Sequence, residues 1–285
     1  MAVPANRSDL RNLVREALMA WPEQVTTLTS AVASASVATI SVDSVSGIAA
    51  RMLVELESEI MRIRSIASLD LTVLRGDHGS TAATHSNSLT LKVWPFWGWT
   101  DANLNNQINR SIDWLYPEVW YPDYVENTAQ ANKKEFGLPT GARYPDGDIV
   151  KEVAFLLSDG ITYKPVYGWR HYNDRLIFDH ETDQARTIRI LLQKRYARLT
   201  DDTTQISSLH SDIVDAIVNM TIAHCLESLL ASRTKFLEYS ASLNDRASTP
   251  DELQRQVFYF INQATLAKDR ASRVPMSGFA STRKA

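Results

Sequence analysis

The sequence predicts an α+β protein with two antiparallel β modules, an N-terminal helix, a central helix and a C-terminal helical pair. Apolar residues recur with a period of two in two stretches, 25–93 and 121–200, which are also rich in β-branched side chains. Helical spacing of apolar residues occurs before, between and after these stretches. With 44% apolar and 22% charged residues in a chain of 285, a sizeable core is expected. The expected parts are an N-terminal helix at 1–24, a small hairpin β module at 25–99, a central helix at 100–120, a β-sandwich or barrel-like module at 121–205, a helical pair at 206–272 and an extended basic tail at 273–285.

Charge and cysteine content narrow the classes of partner and compartment. Thirty Lys and Arg against 33 Asp and Glu give a net charge of -3, so no bulk electrostatic field draws the chain to nucleic acid or anionic lipid. The single cysteine, Cys225, cannot form an internal disulfide, which favours folding in a reducing cytoplasm. The N-terminus is polar where a signal peptide needs an apolar segment, and the apolar stretch 213–231 is interrupted by Asp215 and Glu227. We therefore expect no secretion signal and no membrane contact.

The N-terminal helix leads into the first β module. Ser8 is the expected N-cap and Pro22 ends the helix. The apolar stripe of this helix consists of Leu10, Leu13, Val14, Ala17, Leu18 and Trp21. In the β module, the period of two is clearest in 52–56, 61–63 and 71–73. The expected turns are Gly47, the Ser58-Glu59 pair, 68–70 and 76–79.

A second helix is predicted directly after an aromatic segment. Thr100 is the expected N-cap, Asp101 suits the positive end of the helix, and Pro117 closes it. One stripe of the helix is apolar and consists of Leu104, Ile108, Ile112 and Leu115. The other face is rich in amides, namely Asn103, Asn105, Asn106, Gln107 and Asn109. We expect this face to make polar contacts and take Asn103 and Asn106 as candidate interface residues.

The second β module is expected to be a sandwich or to resemble a barrel. Strand patterns cover 149–157, 162–172, 175–178 and 187–196. Its turn signals are Gly137, Pro139, Gly147 and 158–160.

The last third of the chain is predicted to be a helical pair. A long helix begins at Ser208 or Ser211, continues to about Tyr239 and is apolar on more than one side. The second helix begins with a capping box of Thr249 and Glu252. The two helices should pair antiparallel across the intervening loop.

Beyond this pair, the chain becomes small and polar. Residues 268–285 carry five Lys and Arg against one Asp, so we expect a basic tail without a core of its own. Arg273, Arg283 and Lys284 in this tail are candidate interface residues that would become ordered on binding.

Local motifs for catalysis and metal binding are absent from the sequence, which has no phosphate-binding loop, nucleophile elbow, H-E-x-x-H pair or C-x-x-C knuckle. The best metal candidate is an acidic stretch with one imidazole, formed by Asp174, Asp179, His180, Glu181 and Asp183. Its spacing fits neither an EF-hand nor a helical ligand pair, so it predicts a solvated loop. His78 and His85 could form an acid/base pair, but their surroundings indicate a tight structural loop. We therefore predict no catalytic residue, no metal and no cofactor, and take Cys225 as a small buried hydrophobe.

Five of the seven tryptophans lie close together, namely Trp94, Trp97, Trp99, Trp114 and Trp120. Aromatic side chains in a Gly- and Pro-punctuated segment can stack on sugars or bases, but a nucleic-acid site is usually interleaved with Lys and Arg, and only Lys92 is near. Tryptophans also anchor interfaces and cores. We favour an interface or core anchor and take Trp94, Trp97 and Trp99 as candidate interface residues.

Residues 71–93 contain a loop motif between two strands. Its residues are Arg75, Gly76, Gly79, Ser80, Thr81, Ala82, Ala83 and His85. The two glycines allow a sharp reversal, Ser80 and Thr81 can satisfy loop amides, and Arg75 and His85 can fix the loop by hydrogen bonds. The pattern resembles the R-G-x-x-G-T-T-A-A-x-H loop between strands of neck and head-to-tail adaptor proteins of tailed bacteriophages, with Ser80 where Thr is commoner. The order of elements over 40–240 is also similar, although only 71–93 matches as a motif.

The resemblance implies a structural virion protein, an adaptor in the head-to-tail connector that forms a ring between portal and tail components and lines the DNA channel. The ring would be a dodecamer. Its partners would be further copies of itself, the portal protein and a tail terminator or another neck protein, with possible non-specific contact to packaged DNA. It would be located in the neck of the virion after assembly in the host cytoplasm.

Three alternatives stay open from the sequence. Similar loop segments occur in other virion components, so a tail terminator or a baseplate protein is one alternative. A carbohydrate-binding module using Trp97 and Trp99 is the second. The third is an enzyme centred on His180 and its neighbouring carboxylates.

Overall fold

The computed structural model describes residues 6–18, 22, 24–95, 99–138, 149–172, 175–203, 211–231 and 249–273. These ranges contain four α-helices: α1 (Arg7–Leu18), α2 (Asp101–Leu115), α3 (Ser211–Leu230) and α4 (Pro250–Ser272). The strands form antiparallel sheets, so the predicted α+β class is confirmed. The chain divides into two compact units: unit 1 is formed by 1–111 and 199–267, and unit 2 by 112–198 and 268–285.

Unit 1 contains a six-stranded antiparallel sheet in the order β1-β6-β3-β4-β5-β2. Its strands are β1 (Gln24–Thr27), β2 (Thr39–Ser41), β3 (Leu53–Leu56), β4 (Glu59–Ala67), β5 (Asp70–Leu74) and β6 (Thr90–Trp94). An isolated bridge between Leu28 and Val42 joins the chain just beyond the two edge strands. The sheet therefore curls into a half-barrel.

Each face of this sheet contributes to a hydrophobic cluster of its own. The inner face carries the residues with a period of two, including Val54, Met61 and Val73, in one hydrophobic cluster. The outer face contributes Leu53 and Trp94 to a second cluster together with residues from all four helices. All four residues of β3 are accordingly buried.

The helix ends agree with the sequence signals in two cases and differ in one. Thr100 caps α2 by accepting a hydrogen bond from the Asn103 amide, as predicted. Thr249 and Glu252 form the predicted capping box, because the amide of each donates to the side chain of the other. In α1, Ser8 lies inside the helix and was wrongly predicted as the cap. The cap is Asn6, whose Oδ1 accepts from the Asp9 amide at 2.9 Å.

Helix α3 is buried on several sides, as predicted, and twelve of its residues are buried. Its last turns and the first turns of α4 contribute to the same cluster through Leu226, Leu229, Leu253 and Val257. Within the described residues, α3 is the one helix that by length and composition could cross a membrane, yet most of its apolar stretch is buried inside the protein.

Unit 2 contains two sheets. The first is four-stranded, in the order β10-β9-β13-β7, and the second is three-stranded, in the order β11-β12-β8. Their strands are β7 (Tyr121–Ala129), β8 (Glu135–Gly137), β9 (Ile149–Leu156), β10 (Tyr163–Pro165), β11 (Trp169–Tyr172), β12 (Arg175–Phe178) and β13 (Arg186–Lys194). Both sheets contribute to one hydrophobic cluster, for example through Val153 and Ile190 from the first and Phe136 and Phe178 from the second. This arrangement has two layers, as in a sandwich.

One predicted strand of unit 2 is wrong. The stretch 162–172 forms two short strands in different sheets, because Gly168 adopts a φ of 76° between them. A Cβ atom at this position would lie 2.6 Å from Oδ2 of Asp179. Any other residue at this break would be strained by the positive φ and would require the Asp179 side chain to move.

The C-terminal prediction needs one correction. Residues 268–272 belong to α4, and the Lys268 side chain is only 9% exposed, so the coreless basic stretch does not begin there. The ammonium of Lys268 donates to the Trp114 carbonyl and pairs with Glu118 at 2.8 Å. Several other predictions fall outside the described residues, namely those on Trp21, Trp97, Pro139, Gly147, Asp174, Ser208, Tyr239, the loop 240–248, Arg283 and Lys284.

Candidate functional site

The motif loop of unit 1 reverses sharply after β5. Asp77–Gly79 forms a single 3-10 turn, flanked by Gly76 with a φ of 63° and ending on Gly79 with a φ of 80°. A Cβ atom at position 76 would lie 3.1 Å from the Ser80 carbonyl oxygen. The two glycines thus do what the sequence predicts, since both adopt the left-handed backbone that other residues rarely tolerate.

The centre of the loop is a buried carboxylate, Glu59, at the start of β4. This side chain is 1% exposed and has the same strand parity as Met61, so it lies on the inner side of the half-barrel. It accepts hydrogen bonds from Arg75, from the amides of Gly76 and Ala83 at 3.1 and 3.0 Å, and from His85. We call Glu59, Arg75 and His85 the Glu59 hub.

Arg75 uses all five of its N–H donors in hydrogen bonds. Its Nε and one Nη2 hydrogen bind the two Glu59 oxygens, each at 2.7 Å. The other three N–H groups donate to the carbonyls of Ser34, Val37 and Ala83. A planar guanidinium that is only 7% exposed therefore joins β4, the segment before β2 and the returning loop.

His85 is held between two carboxylates. Its Nε2 lies 2.8 Å from Glu59 Oε2, and its Nδ1 lies 2.8 Å from Oε2 of Glu57. Both ring nitrogens of His85 thus contact a carboxylate oxygen. The backbone of His85 also pairs with Val32. This ring is anchored on every polar atom and is only 2% exposed, which fits a structural role.

Ser80 and Asp77 attach the tip of the loop to β4. The Ser80 hydroxyl accepts from the Ile60 amide at 2.9 Å and lies 3.2 Å from the Ile60 carbonyl, so it takes the place of a neighbouring strand. Asp77 accepts from Arg62 at 2.7 Å. Thr81, by contrast, is exposed at the tip. The Ser80 hydroxyl thus accepts from an amide of β4 and not from the loop amides that were predicted, and Thr81 faces outward.

The electrostatics of the hub fix Glu59 in its charged form. Burial alone would raise the pKa of Glu59, but the hydrogen bonds from Arg75, His85 and the two loop amides outweigh it and lower the pKa to about 2. A carboxylate saturated in this way has no lone pair directed at a substrate. The hub stabilises a loop and is poorly suited to proton transfer.

The sequence prediction missed Glu59 as a hub residue and placed it in a turn. The turn is formed by Glu57 and Ser58, and Glu57 has a φ of 55°. The signal that could have identified Glu59 is its strand parity, since it shares the apolar positions of Met61 and Ile63. An acidic residue at an inward position requires a buried partner, and Arg75 is the partner that the motif supplies.

A second polar cluster anchors the N-terminus of α2. Glu55 accepts hydrogen bonds from Trp94 Nε1 and from the amides of Asp101 and Ala102, each at 2.9 Å. Burial and the negative charge of Asp101 raise the pKa of Glu55. Asp101 itself pairs with Arg15 and Lys92, and Arg15 lies 4.6 Å from the Trp94 ring centroid.

The candidate interface residues of this region are mostly internal. Trp94, Trp99 and Asn103 are 0%, 5% and 1% exposed, so they have no surface free for a neighbouring chain. They pack inside unit 1 because the outer face of the sheet must be covered by helices. Asn106 is exposed and stays available.

Other amides of α2 make internal contacts. Asn105 accepts from Arg11 at 2.8 Å. Asn109 exchanges hydrogen bonds with the backbone of Leu199. The amide-rich face thus makes the polar contacts that were predicted, but largely within the chain.

The acidic stretch of unit 2 borders a cavity of about 210 Å³. His180 and Asp183 line it together with Phe155 and Arg186, and Arg186 pairs with Asp183 at 3.1 Å. Among the described residues, no three His, Cys, Asp or Glu side chains are grouped so that they could hold a metal ion. Asp183 is engaged by an arginine, which makes it a poor metal ligand.

Cys225 is 1% exposed in the helical core of unit 1. Burial raises the pKa of its thiol to about 12. It therefore stays a neutral, buried side chain, as the sequence predicts, and is not available as a nucleophile.

No protein-family model matches the chain, and no curated protein matches it. A functional proposal must therefore be based on the motif loop and its contacts.

Proposed function

We propose that the chain is a structural virion protein of a tailed phage, an adaptor of the head-to-tail connector that assembles as a dodecameric ring between portal and tail components. It acts by assembly and by sealing the DNA channel, without turnover and without a cofactor. The proposal rests on the resemblance of residues 71–93 to the loop motif of such adaptors.

The observation that carries the proposal is the Glu59 hub behind the loop. Residues 81, 83 and 84 are exposed at the tip, while the hub holds the loop backbone: Glu59 accepts from the amides of Gly76 and Ala83, and Arg75 donates to the Ala83 carbonyl. The hub holds the loop on its buried side, and the exposed tip carries small side chains. Such a loop can approach a neighbouring subunit closely without losing conformational entropy. A ring interface also needs two different patches on each subunit, and the loop tip supplies one.

The purified chain, imaged by negative stain and weighed by mass photometry, should form rings of many copies. A species that stays monomeric at all accessible concentrations would overturn the proposal. To locate the interface, Thr81→Arg places a long cation at the exposed loop tip and should prevent ring closure. Ala17→Arg, on the exposed face of α1, is the matched control and should leave the rings unchanged.

The neighbours can be distinguished by mixing. An adaptor should bind the portal protein of its phage, whereas a tail terminator should bind the tail tube.

The alternative of an enzyme is tested by replacing His180 and Asp183 with Ala, which should leave assembly intact. The alternative of a carbohydrate-binding module is weakened by the burial of Trp99, which leaves no aromatic face for a sugar at that position.

A further inference from the structure

Helix α4 presents an exposed stripe along its whole length. Counting along the helix, the members follow each other at intervals of three or four residues, so they share one face. The exposed residues of this face are Asp251, Arg255, Phe258, Asn262, Leu266, Asp269 and Arg273. We call this set the α4 stripe.

The α4 stripe is its own complement when read in the opposite direction. The residues are spaced symmetrically about Asn262, so that each residue has a counterpart at the same distance on the other side. Phe258 then faces Leu266. Beyond this apolar pair, the charges of Arg255 and Asp269 are opposite, and so are those of Asp251 and Arg273.

The same stripe is without partners in the described part of the chain. Phe258 is 58% exposed and Leu266 is 53% exposed, and the neighbouring Tyr259 is also 58% exposed. None of the four charged side chains of the stripe forms an ion pair with another described residue. Three large apolar side chains within nine residues of an exposed helix face are typical of an interface.

We propose that a second copy of this chain docks on this face, with the two α4 helices antiparallel and a two-fold axis passing beside Asn262. Each contact then occurs twice: Phe258 against Leu266, Arg255 against Asp269, and Asp251 against Arg273. The two Asn262 amides meet at the axis, where they can hydrogen-bond to each other and fix the register. The antiparallel arrangement also sets the helix dipoles in opposite directions.

This contact goes beyond the proposed ring and does not depend on it. A two-fold contact joins the same patch of two chains and leaves neither patch free for a third chain. A ring, by contrast, needs two different patches on each chain. If the chain forms no ring, the contact gives a dimer. If the chain forms rings, the contact joins two of them face to face into a double ring.

The test uses charge reversal in the full chain. Arg255→Glu and Asp269→Arg each turn two attractive pairs into repulsive ones, so each should weaken association about tenfold in sedimentation velocity over a range of concentrations. The double variant Arg255→Glu with Asp269→Arg restores opposite charges in both pairs and should associate like the unmodified chain. Gln256→Glu, exposed on another face of α4, is the control and should have no effect.

Mixing the two single variants provides a second readout. In a mixed pair, Glu at 255 of one chain meets Arg at 269 of the other, so heterodimers should form where neither variant forms homodimers. A parallel arrangement would leave the single variants unaffected and would overturn the proposal. So would an unmodified chain without concentration-dependent doubling, or a double variant that stays dissociated. Ring formation is scored separately in micrographs, so a failure of the ring and a failure of this contact are distinguishable.

Discussion

Two buried carboxylates on adjacent strands of unit 1 show how neighbours decide the charge of a residue. Glu55 and Glu59 are both nearly inaccessible to solvent. The pKa of Glu59 is lowered because a bidentate guanidinium and His85 outweigh burial. The pKa of Glu55 is raised by burial and by the negative charge of Asp101, although two amides and Lys92 oppose the shift. Burial raises the pKa in both cases, and the charge of the neighbouring side chains decides whether the net shift is upward or downward.

The lowered pKa of Glu59 makes the stability of unit 1 dependent on acid pH. Because the carboxylate is favoured in the folded state, its contribution is complete above its ordinary value of 4.5 and is lost as the pH falls toward about 2. Glu59→Gln should therefore lower the free energy of unfolding at pH 7 and flatten its decline between these pH values, as measured by urea denaturation. Glu16→Gln, at an exposed position of α1, is the control and should keep the slope of the unmodified chain.

At this scale, the sequence allowed Arg75 and His85 to be predicted as residues that fix the loop, but not Glu59. The motif is local, whereas the hub forms only when β4 pairs with β5 and the loop returns. The predicted turn, Ser58-Glu59, lies one residue later than the observed turn, Glu57-Ser58. This difference of one residue decides whether Glu59 is in an exposed turn or in the interior of the half-barrel, because side chains alternate between the faces of a strand. An error of one residue in the predicted turn was therefore enough to miss Glu59 as a member of the hub.

At the scale of elements, predictions based on contacts within one turn of helix agree best with the structure. The capping box of α4 and the cap of α2 are formed by residues three apart, so their signals are contained in the sequence itself. The break between β10 and β11 depends on Asp179, which approaches Gly168 from the end of the neighbouring strand in the β11–β12 hairpin. A contact between paired strands leaves only a lone glycine as its sign in the local sequence pattern.

Two threonines of α4 give a matched test of the capping box. Thr249→Ala removes the acceptor for the Glu252 amide and should destabilise the protein by about 1 kcal/mol. Thr265→Ala, at an exposed interior position of the same helix, should be neutral or slightly stabilising because Ala has the higher helix propensity. Urea denaturation followed by helical circular dichroism measures both. Equal losses for the two variants would show that the cap makes no specific contribution.

At the scale of the whole molecule, the chain builds separate cores. The half-barrel interior and the helix-covered face belong to unit 1, and the cluster around Phe178 belongs to unit 2. In unit 2, the Phe178 ring lies 5.5 Å from those of Phe136 and Phe155. Composition predicts a chain of this size with several modules, but it does not predict that unit 1 is assembled from two distant parts of the sequence.

Separate cores should respond separately to mutation. Phe178→Ala removes a buried ring and should cost about 3–5 kcal/mol, seen by mass spectrometry as faster hydrogen exchange in β8, β9, β12 and β13. The strands β3 to β5 should keep their protection. Met61→Ala should give the reverse pattern, with a cost of about 2–5 kcal/mol confined to unit 1. Equal acceleration in both units for either variant would mean that the molecule unfolds as one cooperative body.

Because unit 1 is formed by the two ends of the sequence, its parts become available for folding at different times during synthesis. All four helices pack on the outer face of the half-barrel at Leu53 and Trp94, and two of them, α3 and α4, are synthesised only from residue 211 onward. The strands of unit 2 are continuous in sequence and are complete earlier. The first sheet to be translated is thus among the last to be fully covered, and part of its apolar outer face stays exposed while more than a hundred further residues are made. We expect the nascent chain to depend most on chaperones during this interval.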